Sequence, residues 1–168
     1  MDEIAALLEP QIPALRRYAF ALLRGHEAAD DLVQDCLERA LARWHLRRRE
    51  GDVRAWLFTI LRNLHLDELR RRRRRGTEIV LEEAEITGLP ASQERGLEMR
   101  DVMAALDQLS EDQKSILLLV GVEDLSYEEA ARVLDVPLGT VMSRLSRARQ
   151  KLRSIMETGR AGLLRRVK

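Results

Sequence analysis

The chain has 168 residues, 45% of them apolar, 34% charged and only 4% aromatic. This is the profile of a helical protein with many ion pairs, and its length allows one domain or two small ones. A single cysteine, Cys36, excludes an internal disulfide and a cysteine-based zinc cluster, and no apolar run reaches the ~18 residues of a membrane span.

The first amphipathic stretch runs from Pro13 to Leu23, with Leu15, Ala19, Leu22 and Leu23 on one side. The acidic start, Met1-Asp2-Glu3, lacks the pattern of a signal peptide, so a cytoplasmic protein is expected. After a polar junction, Arg24 to Glu27, a second helix is predicted from Ala28 to Trp44. Its apolar face is Leu32, Val33, Cys36, Leu37, Ala40, Leu41 and Trp44. Asp31, Gln34, Asp35 and Glu38 share the opposite face at helical spacing. Such a face is either solvated or a dock for a basic partner helix. Cys36, set among Leu32, Val33, Leu37 and Ala40, reads as a small buried hydrophobe.

Residues 45 to 52 break the periodicity with Arg47, Arg48, Arg49 and Gly51. A third helix is predicted from Val53 to Leu69, with Trp56, Leu57, Ile60, Leu61 and Leu64 as its apolar stripe and Asn63, Asp67 and Arg70 on a polar side. It runs into six consecutive arginines, Arg70 to Arg75. The run is either a solvated helix end favoured by the helix dipole or a patch that tracks phosphates. With the loop arginines and a nearby tryptophan, it suggests single-stranded or melted DNA. Trp44 and Trp56 are read first as core and second as base-stacking platforms.

Gly76 to Gly96 has the composition of a linker: Gly88, Pro90, Ser92 and an acidic bias from Glu78, Glu82, Glu83 and Glu85. Residues 78 to 81 could be extended, but nothing pairs with them. Helical patterning resumes from about 97 to 156. The expected architecture is therefore all-α: residues 1–75 and 97–168 as two small helical domains, joined by a flexible acidic linker over 76–96.

Residues 124 to 153 read as two short helices joined by a tight turn. Ser126 and Glu129 form the signature of a capping box, and Pro137 sits at the turn. In the second helix Leu138, Val141, Leu145, Ala148, Leu152 and Ile155 make one buried stripe. Thr140, Arg144, Arg147 and Lys151 lie on the other side, bordered by Ser143 and Ser146. These groups donate hydrogen bonds to phosphates and base edges, and arginine can grip guanine through two bonds. The second helix is either an amphipathic helix with a solvated basic face or, as the coincidence of turn, cap and stripe favours, the recognition helix of a helix-turn-helix that enters a major groove. Residues 136 to 168 carry nine Lys/Arg against one acid, Glu157, so a net charge of +1 conceals a strongly basic end.

Several of these segments, in order and at the right spacing, resemble a bacterial extracytoplasmic-function (group 4) RNA polymerase sigma factor over nearly the whole chain. Ala29-Asp-Asp-Leu-Val-Gln-Asp-Cys-Leu-Glu-Arg-Ala40 resembles region 2.2. Ala55-Trp-Leu-Phe-Thr-Ile-Leu-Arg-Asn63, with Asp67 and the arginines beyond it, resembles regions 2.3 and 2.4. Leu109-Ser-Glu-Asp-Gln-Lys114 and Leu125-Ser-Tyr-Glu-Glu-Ala130 resemble region 4.1 and the first helix of the motif; Pro137 to Arg149 resembles region 4.2.

The resemblance implies that Asp31, Gln34, Asp35 and Glu38 dock on the β′ clamp helices of core RNA polymerase, whose β flap is a further contact. It implies −10 DNA contacts from Arg47, Arg48, Arg49, Arg54, Asn63, Arg70 and Arg71. It also implies −35 duplex contacts from Thr140, Met142, Ser143, Arg144, Ser146, Arg147 and Lys151. Many relatives carry a basic residue where Met142 stands, so a −35 sequence is not transferable. The linker glutamates would lie in the RNA exit path, as RNA mimics or as a solvated tether. An anti-sigma partner is implied, one that wedges between or clamps both modules; no cofactor and no membrane insertion are.

An enzyme is not expected: His26, His45 and His65 lie in different segments without metal spacing, and no phosphate loop or nucleophile motif occurs. A free-standing repressor would need no acidic docking face, and a decoy that titrates an anti-sigma factor would need no arginine-rich DNA faces. The tail from Gly159 to Lys168 is either a frayed basic end or a partner-binding extension.

Overall fold

The computed structural model describes residues 1–47, 51–76 and 93–166, with side chains described over 1–47, 51–76 and 98–159. Among them there are helices and turns and no strand. The chain divides into two compact units, one built on α1 to α4 and grouped with Arg132–Asp135, the other built on the rest of α5 to α8.

The first unit comprises α1 (Asp2–Leu8), α2 (Ile12–Leu23), α3 (His26–Ala42) and α4 (Val53–Arg75). Helix α1 lies ahead of the expected start. Asp2 and Glu3 sit in its first turn, where carboxylates favour the helix dipole, and only Leu8 is buried. A stripe so short leaves little periodicity to read. A single 3₁₀ turn, Glu9–Gln11, joins it to α2, with Pro10 where a missing N–H is tolerated.

Helix α3 packs against both α2 and α4. The core is Leu15, Tyr18, Ala19 and Leu22 of α2, Leu32, Val33, Cys36 and Ala40 of α3, and Leu57, Phe58 and Leu61 of α4. Tyr18 and Phe58 meet edge to face at 5.3 Å, the arrangement their quadrupoles favour. Leu41, expected in the buried stripe, is 47% exposed. It sits about 100° around the helix from the buried Ala40, so it turns to solvent. Leu37, Trp44, Trp56 and Leu64 are half-buried. Arg62 and His65 are buried in α4. The long aliphatic stem of arginine lets a charged residue occupy an apolar helix face.

Local chemistry sets the ends of α4. Asp52 caps it, accepting from the Arg54 N–H at 3.0 Å. Gly76 terminates it with φ of 66°, and its N–H returns to the last turn, a conformation glycine adopts without a Cβ penalty.

The second unit comprises α5 (Gln93–Asp107), α6 (Glu111–Ile116), a π turn (Leu117–Val122), α7 (Tyr127–Leu134) and α8 (Leu138–Arg166). Helix α5 begins four residues ahead of the periodic pattern, and α8 continues ten residues beyond it. Both α5 and α6 pack on α8. Its Val141, Leu145 and Ala148 are buried with Met103 and Leu106 of α5, Ile116 of α6, and Leu118 and Leu119 of the π turn. Leu138, expected in that stripe, is 42% exposed. As the first residue of α8 it precedes the turn at which the helix meets its neighbours. Leu152 and Ile155 are half-buried.

The π turn was not legible as such. It widens the backbone after α6, with the Glu123 N–H reaching Leu118 at 3.0 Å. Lys114, buried, pairs with Asp107 at 3.6 Å beside it. Between α7 and α8, Asp135 adopts φ of 54°. Its N–H bonds to Arg132 and that of Val136 to Ala131, closing α7 with the Schellman pattern. Ser126 accepts from the Glu129 N–H at 3.1 Å, giving the serine half of the expected capping box.

A complete capping box stands instead at α6. Ser110 accepts from the Gln113 N–H and the Gln113 side chain accepts from the Ser110 N–H, both at 3.2 Å. Ser110→Ala is expected to destabilise the second unit by about 1 kcal/mol in urea titration of the full chain, with the slope of the transition unchanged.

Candidate nucleic-acid interface

Rotation of α8 decides which groups face outward. With Val141, Leu145 and Ala148 inward, Ser143, Ser146, Arg147 and Lys151 are exposed, and Thr140 and Arg144 are half-buried at the edge of the packed stripe. Thr140, Arg144, Arg147 and Lys151 share one flank of the exposed arc. Met142, 53% exposed, and Ser146 lie about 160° around the helix from Arg144. The candidate residues on α8 thus span a broad arc, with Thr140, Arg144, Arg147 and Lys151 on one flank and Met142 and the Ser146 hydroxyl on the other. Arg149 and Arg153, both exposed, share the Met142 flank. Helical periodicity alone would have added them to the candidate residues.

Two arginines of α8 have side-chain partners. Arg147 Nη2 donates to Ser143 Oγ at 3.4 Å, and that hydroxyl donates to the Thr140 carbonyl at 3.2 Å. Arg144 Nη1 lies 3.7 Å from Asp112 Oδ2 of α6. Sequence reasoning missed Asp112, because the pair joins residues far apart in the chain.

The candidate residues in the first unit are distributed differently. Asn63 and Arg70 share a face of α4, whereas Arg54 lies about 180° around the helix from Asn63, so the helix does not gather them into one pocket. From Arg54 to Arg71 the helix rises about 25 Å. Arg54 sits 5.9 Å over the Phe58 ring, and Arg47 sits 4.6 Å over Trp44 while donating to the Gly51 carbonyl at 3.1 Å. Trp44 and Trp56 pack edge to face at 5.9 Å. Arg47 and the two indoles therefore brace the base of the loop. Arg48 and Arg49 lie outside the described residues, as do the linker glutamates and the possible extended segment at 78–81.

Three of the consecutive arginines are matched by acids on the preceding turn: Arg70 with Asp67 at 3.1 Å, and Arg71 and Arg72 with Glu68 at 3.7 and 3.3 Å. These spacings relieve the self-repulsion of the run. Arg73, Arg74 and Arg75 continue, exposed, to Gly76.

On α3, Asp31, Gln34, Asp35 and Glu38 are all exposed along one face, and Gln34 Nε2 donates to Glu38 Oε1 at 3.2 Å. Asp31, Asp35 and Glu38 also border a groove of about 590 Å³ floored by Leu23, Leu32 and Leu64, with Arg71 and Arg72 on its α4 wall. Behind this face, Cys36 donates to the Leu57 carbonyl at 3.4 Å, and burial pushes its thiol up to about 12. Among the described residues no group of three His, Cys, Asp or Glu is placed to hold a metal, and no helix is long and apolar enough to cross a membrane.

Comparison with known proteins follows the same division. The family model described as the Sigma2 domain of PhyR matches residues 8–62, and that of Sigma-70, region 4, matches residues 99–152. The ECF RNA polymerase sigma factor EcfG of Rhodopseudomonas palustris is 41% identical over 145 residues, covering 86% of this chain and 80% of that protein. The chain belongs to the extracytoplasmic-function sigma factors of the sigma-70 family. RNA polymerase sigma factor SigV of Bacillus subtilis is 30% identical over 82% of this sigma factor and 81% of its own length.

Among solved structures, the sigma factor RpoE of Bartonella quintana, in complex with the anti-sigma factor NepR, matches this sigma factor with a TM-score of 0.80. The identity is 35%, over 94% of this chain and 98% of that one. CnrH, in complex with the cytosolic domain of CnrY, matches with a TM-score of 0.70 at 25% identity, over 94% and 87% of the two chains.

The pKa of Cys36 gives a direct test of packing beneath the acidic face. The native sigma factor at pH 8 is expected to react with a thiol reagent at least about a hundredfold more slowly than the same chain in denaturant, since only the thiolate reacts. Comparable rates would mean that α3 opens readily from α4.

Proposed function

We propose that this sigma factor is a group 4 promoter-specificity subunit that brings core RNA polymerase to −35 and −10 elements and makes or breaks no bond itself. Residues 1–75 serve as region 2, 76–96 as the linker and 97–168 as region 4. The observation that carries the reading is the pairing, in one chain, of an exposed acidic face on α3 with a basic, outward-facing recognition helix in α8. A free-standing repressor has use for the second and none for the first.

In this reading Asp31, Gln34, Asp35 and Glu38 meet the β′ clamp helices, and the second unit meets the β flap. Acceptors spaced along one helix face suit basic donors of a partner helix. Thr140, Ser143, Arg144, Arg147 and Lys151 contact phosphates and base edges of the −35 major groove, with Met142 and Ser146 at the other edge of the footprint. The thioether of Met142 donates no hydrogen bond and suits a thymine methyl.

Region 2 takes the −10 element as melted strand. Asn63 and Arg70 share the face offered to DNA, and Arg71 extends it along the backbone. Arg47, Arg48, Arg49 and Arg54 supply further contacts to the −10 strand, Arg47 from its place over Trp44. Capture of an unpaired base offsets part of the unstacking cost, a few kcal/mol. The complex of RpoE with the anti-sigma factor NepR supports control of this chain by an anti-sigma factor in the cytoplasm, one that wedges between or clamps both units.

Transcription from a promoter library, with core polymerase and with or without the protein, tests the reading. Defined start sites that require the protein are expected, and operator binding that needs no core would overturn it. In the same assay Asp35→Arg should weaken core binding at least about tenfold, since a docking acid becomes a repelling charge. Unchanged affinity would remove α3 from the docking surface. Arg147→Ala should cost about 1–3 kcal/mol of promoter affinity if the side chain meets a base edge, with discrimination relaxed at one −35 position. A uniform loss across sequences, with a shallower salt dependence, would assign it to a phosphate.

A further inference from the structure

We propose that Asp112, on α6, is a positioning residue for Arg144 and sets how sharply α8 discriminates among −35 sequences. The proposal rests on α8 being the −35 reading helix. Its basis is the contact between Asp112 Oδ2 and Arg144 Nη1 at 3.7 Å, which links the reading helix to an element with no assigned DNA contact.

Both ends of that contact are anchored by structure that a passing surface pair would lack. Asp112 lies in the first turn of α6, two residues after Ser110, where reciprocal hydrogen bonds of 3.2 Å fix the start of the helix. Ile116 at the far end of α6 is fully buried. Arg144 is flanked on α8 by Val141 and Leu145, both buried in the same unit. The backbone positions of the pair are therefore set by packing, and only the guanidinium swings. The side chains remain partly open to solvent, 37% for Arg144 and 53% for Asp112, so the arginine can still reach outward.

The neighbouring Arg147 is tethered within its own helix by the neutral hydroxyl of Ser143. The two arginines therefore have unlike restraints. A carboxylate on one terminal nitrogen leaves other guanidinium N–H groups to donate, because arginine has five donors in a planar fork. Bonding a base edge with those donors preserves the pair. Swinging fully to a phosphate gives it up. Asp112 thus narrows the orientations of Arg144 and disfavours sequence-independent phosphate contacts, and its negative charge adds to that bias near the duplex.

The test uses the full chain assembled with core polymerase. The probe is a promoter recovered by that complex from a randomised duplex library, alongside the same promoter with a scrambled −35 element. The readout is the ratio of the two affinities. Asp112→Asn, which keeps shape and removes charge, should lower this ratio by about three- to tenfold, chiefly by tightening binding to the scrambled probe. Asp112→Glu should retain most of the ratio. In an Arg144→Ala background, Asp112→Asn should leave the ratio unmoved, a coupling that loss of α6 stability cannot mimic.

If Arg144→Ala lowers the ratio while Asp112→Asn leaves it at the wild-type value, the Asp112 assignment is overturned alone. It is likewise overturned if Asp112→Asn acts equally with and without Arg144, as a general charge effect would. If Arg144→Ala itself leaves the ratio unchanged, the reading of Arg144 as a −35 contact fails and takes the proposal with it.

Discussion

The buried stripe of Val141, Leu145 and Ala148 governs the second unit. These side chains are small or branched, and they sit against α5, α6 and the π turn with almost no exposure. Their packing fixes the rotation of α8 about its axis, since turning the helix would expose apolar surface and bury charge. Every outward group follows from that rotation. Ser143 and Arg147 face solvent, Arg144 falls at the edge within reach of Asp112, and Met142 is carried to the opposite flank. The recognition surface is the complement of a core.

The first unit follows the same logic with α3 at its centre. Leu32, Val33, Cys36 and Ala40 face α2 and α4, which leaves Asp31, Gln34, Asp35 and Glu38 exposed, three of them on the rim of the groove beside α4. Helix α4 bears a heavier demand, because its N-terminal half is enclosed and its C-terminal half is a cationic extension. The transition is managed by Asp67 and Glu68, which pair with the first three arginines, and by Gly76, which ends the helix. What remains is a positive end continuous with a packed helix, a suitable support for a nucleic-acid strand.

Much of this was readable from residue spacing. The all-α class, the acidic face of α3 and the basic face of α8 each repeat over several turns, so periodicity averages over local exceptions. The exceptions are residues at the ends of stripes. Leu41 and Leu138 fit the pattern and yet lie exposed, because an apolar residue is buried only if a neighbouring element covers it. Helix α1 was missed because one buried leucine makes no stripe. The capping box at Ser110 and Gln113 was present as Ser-x-x-Gln and could have been read, whereas the π turn depends on how Leu118 and Leu119 pack. Arg62 and His65 show the converse case, polar residues drawn inside because α4 is covered on several sides.

The sequence by itself determined the two helical units and the sign of charge on their faces, because these are properties of composition and of a 3.6-residue repeat; the family resemblance was carried separately, by particular motifs in order. Tertiary structure decided which residues work together. It committed Arg47 to bracing a loop against Trp44 and brought Asp112 to Arg144 across two helices. The physical reason is that a helix repeat specifies a face, while a contact between faces depends on the rotation and distance that packing imposes.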